Sequence, residues 1–370
     1  MKSTTSSETL SSLLANGREI FLGVAAVLGF TSLILLITGA PPLSAYYSIF
    51  NGSLGSWIKV GHVIKVWIPL TLCACGLLYT FRIDLWNIGV EGQVMMGAIF
   101  TTGILRLGVS AGSPLAFLTA SLVAGAVGGA LWALLAGYLR AKAGVNEIFA
   151  GLGLNFVAQG MVLWLIFGPW RRPGVASMSG TEIFPLELWL PYSESLRVSP
   201  LGIILVLTAA VITALVLRYT RTGLFLKAIG RNQAAAFLYG LNPGRYMLLA
   251  MAFAGGLAGL AGSLQVSGVY HRLLPAISSN YGYLALLVAM LANYNVWLAP
   301  AVAFFFACLN VGSIQLPMML QLDSSLAGVI QGALVLATLA MHFWRRHRTA
   351  IKQRASGDEK QAGPIRWVKG

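Results

Sequence analysis

The chain has 370 residues, of which 57% are hydrophobic and only 10% are charged. A water-soluble domain carries about a quarter charged residues, so this composition excludes a soluble globular protein and indicates an integral membrane protein. The formal net charge of +14 does not indicate a nucleic-acid-binding protein, because the basic residues cluster in predicted loops and in the C-terminal tail.

Ten apolar segments are candidates for membrane-spanning helices, each of which requires about 20 residues. In chain order they lie near 20–37, 60–80, 88–105, 114–138, 148–167, 201–217, 246–264, 281–292, 296–313 and 326–344. Several are short or interrupted by glycine, so eight or nine spans are also compatible with the sequence. We therefore predict an all-α integral membrane protein, a multi-pass helical bundle of about ten transmembrane helices in two related halves.

The placement of Lys and Arg predicts the orientation, because these residues favour the cytoplasmic side. With the N-terminus inside, most of the 25 Lys and Arg residues fall in cytosolic segments, and an even number of spans places the basic tail there too. We therefore predict one transmembrane domain over 1–345, with an external loop at 168–200 and a cytosolic loop at 218–245. A basic cytosolic tail follows at 346–370, so both termini are expected in the cytosol.

Polar side chains interrupt the apolar sequence at residues 82–93. In one interpretation Asn87 caps the next helix, and Glu91 in its first turn favours the positive helix end. In a second, Gly89 and Gly92 break the helix at depth and its polar groups line a route through the membrane, as they do in transporters. The residue types alone leave both interpretations open.

A proton relay is a third interpretation, but it requires a second intramembrane acid, for which only Glu147 and Asp323 are candidates. Glu147 belongs to a second polar set, with Asn146, Asn155 and Gln159. Asn155 and Gln159 are four residues apart and share one face of a predicted helix. Such amides either join helices by hydrogen bonds or line a pathway for a polar solute.

The predicted cytosolic loop 218–245 holds five basic residues and no acidic one. Its segment Asn232–Tyr239 predicts a short helix, and Gly240 is well placed to end it in the left-handed conformation. One interpretation is a loop that contacts lipid headgroups. The other is a docking helix for a partner protein, which its alanines would allow to approach closely.

Glycine spacing and missing motifs narrow the class further. G-x-x-x-G occurs at Gly125/Gly129 and at Gly255/Gly259, which predicts close helix packing. The sequence contains no P-loop, no H-E-x-x-H and no G-x-S-x-G, and its histidines and cysteines lack the spacing of metal ligands. We therefore expect no catalytic site, no metal and no cofactor, and a chain that is not an enzyme.

Two motifs make the chain similar to one family of transport proteins. The pattern Asn232-x-x-Ala235-Ala236-x-x-x-Gly240-Leu241 resembles the coupling segment of ABC importer permeases. The motif NIGVEGQ (87–93) is similar to the hallmark of permeases of BmpA-type nucleoside uptake systems, within the simple-sugar and branched-chain amino-acid permease superfamily. The resemblance spans residues 20–340 and departs at VAMLANYNVWLAP (288–300), where the family usually has a Gly and an Asn-Pro-like turn.

The resemblance implies the permease subunit of an ATP-driven ABC importer for nucleosides in the bacterial cytoplasmic (inner) membrane. The alternatives are a monosaccharide (ribose-type) ABC permease and, more distantly, an ion-coupled secondary transporter. The implied partners are a cytosolic ABC ATPase subunit, a second permease subunit (related or identical) and an extracytoplasmic substrate-binding protein. An ATPase on a separate subunit agrees with the lack of a P-loop in this sequence.

The resemblance also implies roles for two sets of residues. The expected substrate-pathway residues are Asn87, Glu91, Gln93, Asn146, Glu147, Asn155 and Gln159. Their amides could meet the hydroxyls and base edges of a neutral nucleoside without a charge penalty. The expected ATPase-coupling residues are Asn232, Ala235, Ala236, Phe237, Gly240 and Leu241.

Overall fold

The computed structural model describes residues 41–109, 113–174 and 180–314, together with single positions between 25 and 39 and between 332 and 340. The predicted first and last spans are therefore described only at single positions. The tail at 346–370 and Asp323 lie outside the described residues.

The described residues form helices joined by short loops and one longer connection at 168–199. The α-helices are α1 (Pro42–Leu54), α2 (Trp57–Arg82), α3 (Val90–Gly108), α4 (Pro114–Ala143), α5 (Glu147–Phe167), α6 (Pro200–Tyr219), α7 (Arg221–Arg231), α8 (Gln233–Leu238), α9 (Pro243–Gln265), α10 (Tyr281–Leu291) and α11 (Ala299–Ile314). A short 3-10 helix, Leu186–Leu188, lies in the longer connection, and a π-helical turn, Val266–Tyr270, extends α9.

Five helical segments are long and apolar enough to cross a membrane: α2, α4, α5, α6 and α9 with its π-helical turn. α10 and α11 are shorter apolar helices, and α3 has 19 residues. The predicted spans between residues 60 and 313 each coincide with one of these helices. The prediction of a multi-pass helical membrane protein is thus confirmed.

The chain divides into two compact units. One contains residues 49–312 and therefore all helices from α2 to α10. The other contains residues 1–48 and 313–370, and in it the hydroxyl oxygens of Ser32 and Tyr46 lie 3.1 Å apart. The features described below all belong to the 49–312 unit.

The core of the 49–312 unit is built on helices that approach one another at glycine. α9 packs most extensively on α4 and also contacts α2 and α3. A Cβ added to Gly129 of α4 would collide with the carbonyl oxygen of Gly255 on α9, and one added to Gly259 would collide with that of Gly125. Both predicted G-x-x-x-G motifs are therefore confirmed as close-packing sites.

Candidate functional site

A break in the helical backbone lies between α9 and α10. The chain passes from α9 through the π-helical turn into residues 271–280, which are not helical, and then enters α10. His271 and Asn280, which bound this stretch, have left-handed backbone angles with φ of 54° and 60°. Non-helical backbone between apolar helices is typical of transporters where it lines a cavity.

The interpretation of a helix broken at both Gly89 and Gly92 is wrong at Gly92. The non-helical residues 83–89 end at Gly89, and α3 begins at Val90 and continues through Gly92 without interruption. The physical reason for this glycine is space, because a Cβ at Gly92 would lie 2.8 Å from the side-chain oxygen Oδ1 of Asn155. A further non-helical stretch that separates two apolar helices lies at residues 271–280.

Glu91 joins α3 to the far side of that break. Its Oε1 accepts a hydrogen bond from the backbone N–H of Asn280 at 3.0 Å, and its Oε2 accepts one from that of Gly282 at 2.8 Å. The side chain is only 3% exposed. Unpaired N–H groups at a helix start favour a carboxylate, so Glu91 caps α10, a helix about 190 residues away in sequence.

Asn155 and Gln159 of α5 form hydrogen bonds with other elements around the break. Asn155 Oδ1 accepts from the backbone N–H of Gly92 at 2.8 Å, and its Nδ2 donates to Ile88 O at 3.0 Å and to the Tyr283 hydroxyl at 3.1 Å. Gln159 Nε2 donates to the carbonyl oxygen of Pro275 at 3.0 Å. The two amides therefore connect α5 to the start of α3 and to the 271–280 segment.

The side-chain amides of Asn87 and Gln93 form two hydrogen bonds with each other. Asn87 Nδ2 donates to Gln93 Oε1 at 3.1 Å, and Gln93 Nε2 donates to Asn87 Oδ1 at 2.8 Å, with both side chains buried. The interpretation of Asn87 as the helix cap is wrong, because the cap position of α3 is occupied by Gly89, which has no side chain that could accept a hydrogen bond.

Asn146 and Glu147 lie at the start of α5. The Asn146 side chain caps α5 by accepting from the backbone N–H of Ile148 at 2.9 Å. Glu147 forms an ion pair with Arg140, with Nε and Oε2 3.2 Å apart. Neither residue is among those that line the pocket described next.

A pocket of about 350 Å³ lies between α3, α5 and the break, within the size range of small-molecule sites. Its polar lining comes from Glu91, Asn155, Gln159, Ser278, Ser279 and Asn280, and its apolar lining from Met95, Phe156, Pro275, Ala276 and Tyr283. We call it the Glu91 pocket. Three of the seven predicted pathway residues line it.

Sequence reasoning missed the residues that the break contributes, at 275–283. A signal was present, because Ser278, Ser279, Asn280 and Gly282 form a small polar run directly before an apolar segment. It was overlooked because the run is short and carries no charge.

The segment 218–245 forms α7 and α8. The side chain of Asn232 caps α8 by accepting from the backbone N–H of Ala235 at 3.0 Å. Gly240 follows with φ +81°, and the N–H of Leu241 donates to Ala236 O at 3.1 Å. The predicted short helix, with its end at Gly240, is confirmed.

The outer face of α8 is apolar and exposed. Phe237 is 64% exposed and Tyr239 is 88% exposed. Behind it, α7 rests on the end of α2, where a Cβ added to Gly230 would collide with the carbonyl oxygen of Arg82. α8 is therefore connected through α7 to the chain that leads into Asn87 and Glu91.

Comparison with known proteins agrees with this architecture. The family model described as "Branched-chain amino acid transport system / permease component" matches residues 59–339. The glucose ABC transporter permease protein TsgB13 of Haloferax volcanii is 30% identical over 375 residues, which cover 97% of each chain.

Two nucleoside permeases are also similar. The guanosine ABC transporter permease protein NupP of Bacillus subtilis is 28% identical over 334 residues, covering 88% of this chain and 93% of NupP. The nucleoside ABC transporter permease protein NupB of Lactococcus lactis is 26% identical over 301 residues, covering 78% and 82%. This chain therefore belongs to the branched-chain amino acid transport system permease component family, and it is an ABC transporter permease.

Proposed function

We propose that this permease imports a nucleoside and that the nucleoside passes through the Glu91 pocket. The observation that carries the proposal is the composition of the pocket, in which two side-chain amides lie beside the rings of Phe156 and Tyr283. A nucleoside offers hydroxyls, base-edge donors and acceptors, and a flat ring that packs on aromatic side chains. The names of NupP and NupB support the same class of solute.

The charge in the pocket favours a neutral solute. The two carboxylate oxygens of Glu91 each accept a backbone N–H, so this charge is already compensated by the protein. A cationic solute would have to compete with those hydrogen bonds. A neutral one can use the amide of Gln159, which makes one hydrogen bond, to Pro275 O, without disturbing Glu91.

A monosaccharide is the second candidate, because TsgB13 is named as a glucose permease. A sugar would use the same amides through its hydroxyls but has no base to lie on Phe156 and Tyr283. Competition experiments distinguish the two candidates. In cells that express the complete transporter and lack other nucleoside importers, excess guanosine should abolish labelled nucleoside uptake and excess glucose should not. Uptake of labelled glucose without uptake of labelled nucleoside would favour the sugar permease.

The seven pathway residues divide into two roles under this proposal. Glu91, Asn155 and Gln159 contact the solute or position the groups that do. Asn87 and Gln93, through their paired amides, and Asn146 and Glu147, through the start of α5, hold the helices that carry the pocket.

The proposed partners are a separate cytosolic ATPase, a second permease subunit and an extracytoplasmic substrate-binding protein. Under this proposal residues 1–345 act as one permease domain in the bacterial inner membrane, and 346–370 is a cytosolic tail. The exposed rings of α8, with Asn232, Ala235, Ala236 and Leu241 shaping the helix, support an ATPase contact.

The ATPase contact is tested by crosslinking. A Phe237→Cys variant should form a crosslink with a cysteine-bearing ATPase subunit in inverted vesicles. Labelling of the same cysteine by an impermeant reagent added outside intact cells would contradict the proposed orientation.

A further inference from the structure

A second polar cavity lies near the end of α9, away from the Glu91 pocket. Gln265 is 1% exposed, and neither its Nε2 nor its Oε1 has a hydrogen-bond partner among the described residues. The hydroxyl of Ser199, 6% exposed, is likewise unpartnered. Both residues line a cavity of about 20 Å³ together with Lys65, which is space for one water-sized group.

A wider pocket adjoins this cavity. It has a volume of about 400 Å³ and shares Lys65 and Gly268 with the smaller one. Trp189 and His271 form one wall, with their rings stacked 3.6 Å apart between centroids. Arg197 and Glu194 complete the charged lining. We call the two cavities together the Gln265 site.

Cationic groups outnumber anionic groups at the Gln265 site. Lys65 and Arg197 line it against the one carboxylate of Glu194, and the neutral polar groups of Tyr192, Ser199, Gln265 and His271 complete the lining. In the part of the chain that the structure describes, neither Lys65 nor Arg197 forms an ion pair. The buried amide of Gln265 and the buried hydroxyl of Ser199 are costly without partners, whereas Lys65 is half-buried and Arg197 is exposed. The narrow end of the site is therefore incomplete without a ligand that meets these two buried groups.

We infer that the Gln265 site binds a small oxyanion, in which a phosphate or carboxylate group meets Lys65 and Arg197 and directs one oxygen toward Gln265 and Ser199. Charge-assisted hydrogen bonds to an oxyanion are the strongest that these donors can make. The narrow end of the site, beside the buried amide of Gln265, has space for only one oxygen of the ligand. This small space favours a free ion.

The Gln265 site is separate from the Glu91 pocket and shares none of its lining residues. Both are attached to the same stretch of chain, however, since Gly268 and His271 line one and Pro275 to Asn280 line the other. A bound oxyanion would therefore hold the first half of the break, while Glu91 holds the second half.

Phosphate binding by the full-length permease tests the inference directly. The protein is purified in a maltoside detergent without phosphate, and inorganic phosphate is titrated while its ³¹P line width and the unfolding temperature are followed. The wild type should show saturable binding. Lys65→Met should weaken it at least about tenfold, the loss of one charged hydrogen bond.

Two further variants keep the test decisive. Gln265→Glu preserves size and places a carboxylate among the donors, so it should abolish saturable phosphate binding without lowering the unfolding temperature. Arg171→Gln removes a charge from the same external segment but lines neither cavity, and should leave phosphate affinity within about twofold of wild type.

Two outcomes would overturn the inference: no saturable phosphate binding by the wild type, or equal weakening of phosphate binding in Arg171→Gln and Lys65→Met. Because the measurement involves no transport, a negative result would leave the proposed nucleoside transport unaffected.

Discussion

At the scale of single residues, Glu91 is the side chain on which the site depends most. It belongs to α3 but is bonded to the start of α10. Glu91→Gln leaves one acceptor and turns an NH₂ group toward a backbone N–H. We expect a loss of about 1–3 kcal/mol in the free energy of unfolding, together with a large fall in uptake.

The matched control for this prediction is Glu187→Gln, an exposed acid in the 3-10 helix. It removes the same charge without a buried partner and should change little. Thermal unfolding and uptake at equal membrane abundance compare the two variants. If Glu91→Gln behaves like Glu187→Gln, Glu91 does not clamp α10.

A second residue-scale prediction concerns Gly92. An added Cβ would lie 2.8 Å from Asn155 Oδ1 and would displace the amide that holds the pocket. Gly92→Ala should therefore raise the KM for uptake. Gly153→Ala, on the neighbouring helix α5, meets nothing within 4 Å and should stabilise the helix by up to about 1 kcal/mol. Equal KM values in the two variants would contradict the assigned role of Asn155.

At the scale of elements, the connection 180–190 forms backbone hydrogen bonds with the π-helical turn and with the first half of the break. The N–H groups of Thr181, Phe184 and Leu190 donate to Leu273 O, His271 O and Ser267 O at 2.9–3.0 Å. The stacking of Trp189 on His271 adds a ring contact. The connection 180–190 and the break thus form one packed element.

His271 gives this element a pH dependence. Burial lowers the pKa of His271 below its usual value of 6.5, and the ammonium of Lys65 lowers it further, while the Ser267 carbonyl partly offsets the shift. The unfolded chain therefore binds more protons than the folded one as the pH falls below 6.5. Stability should be constant above this pH and decrease below it.

A His271→Phe variant keeps a ring against Trp189 and cannot titrate. Between pH 7.5 and 5, the unfolding temperature of the wild type should fall more steeply than that of the variant. An identical pH dependence in both proteins would show that His271 does not cause the loss.

The end of α8 is the element that should connect the chain to its ATPase. Gly240 has φ +81°, which a β-branched residue adopts at a cost of roughly 1–2 kcal/mol. Gly240→Val should leave membrane insertion intact and uncouple ATP hydrolysis from uptake. Gly244→Val, within α9 and free of that backbone requirement, is the control. Normal coupling in Gly240→Val would contradict the role of α8.

The same two elements show what could be predicted from the sequence. The α8 helix was predictable because its signals are local: Asn232 caps it and Gly240 ends it, only eight residues apart. The break at 271–280 was not, because the left-handed His271 and Asn280 are not glycines. Their backbone groups bond to Phe184 and Glu91, which are distant in sequence, and no local pattern records such contacts.

At the scale of the whole molecule, the span pattern was predictable because apolar length alone determines it. The division of the polar residues into those that line the pocket and those that support it was not predictable. The motif NIGVEGQ mixes a buried amide pair, Asn87 with Gln93, and a helix clamp, Glu91, within seven residues. Only the hydrogen-bond partners of each side chain distinguish Glu91, which lines the pocket, from Asn87 and Gln93, which support it.

The proposed function requires that ATP hydrolysis moves a nucleoside through the Glu91 pocket. The most direct test is the initial rate of labelled guanosine uptake by proteoliposomes that contain the complete transporter and ATP, for the wild type and Gln159→Leu. We expect wild-type uptake to require the ATPase subunit, to survive a protonophore and to be inhibited by unlabelled nucleoside. We expect Gln159→Leu to raise the KM for uptake while basal ATP hydrolysis persists. Uptake without the ATPase, or an unchanged KM in Gln159→Leu, would contradict the proposed function.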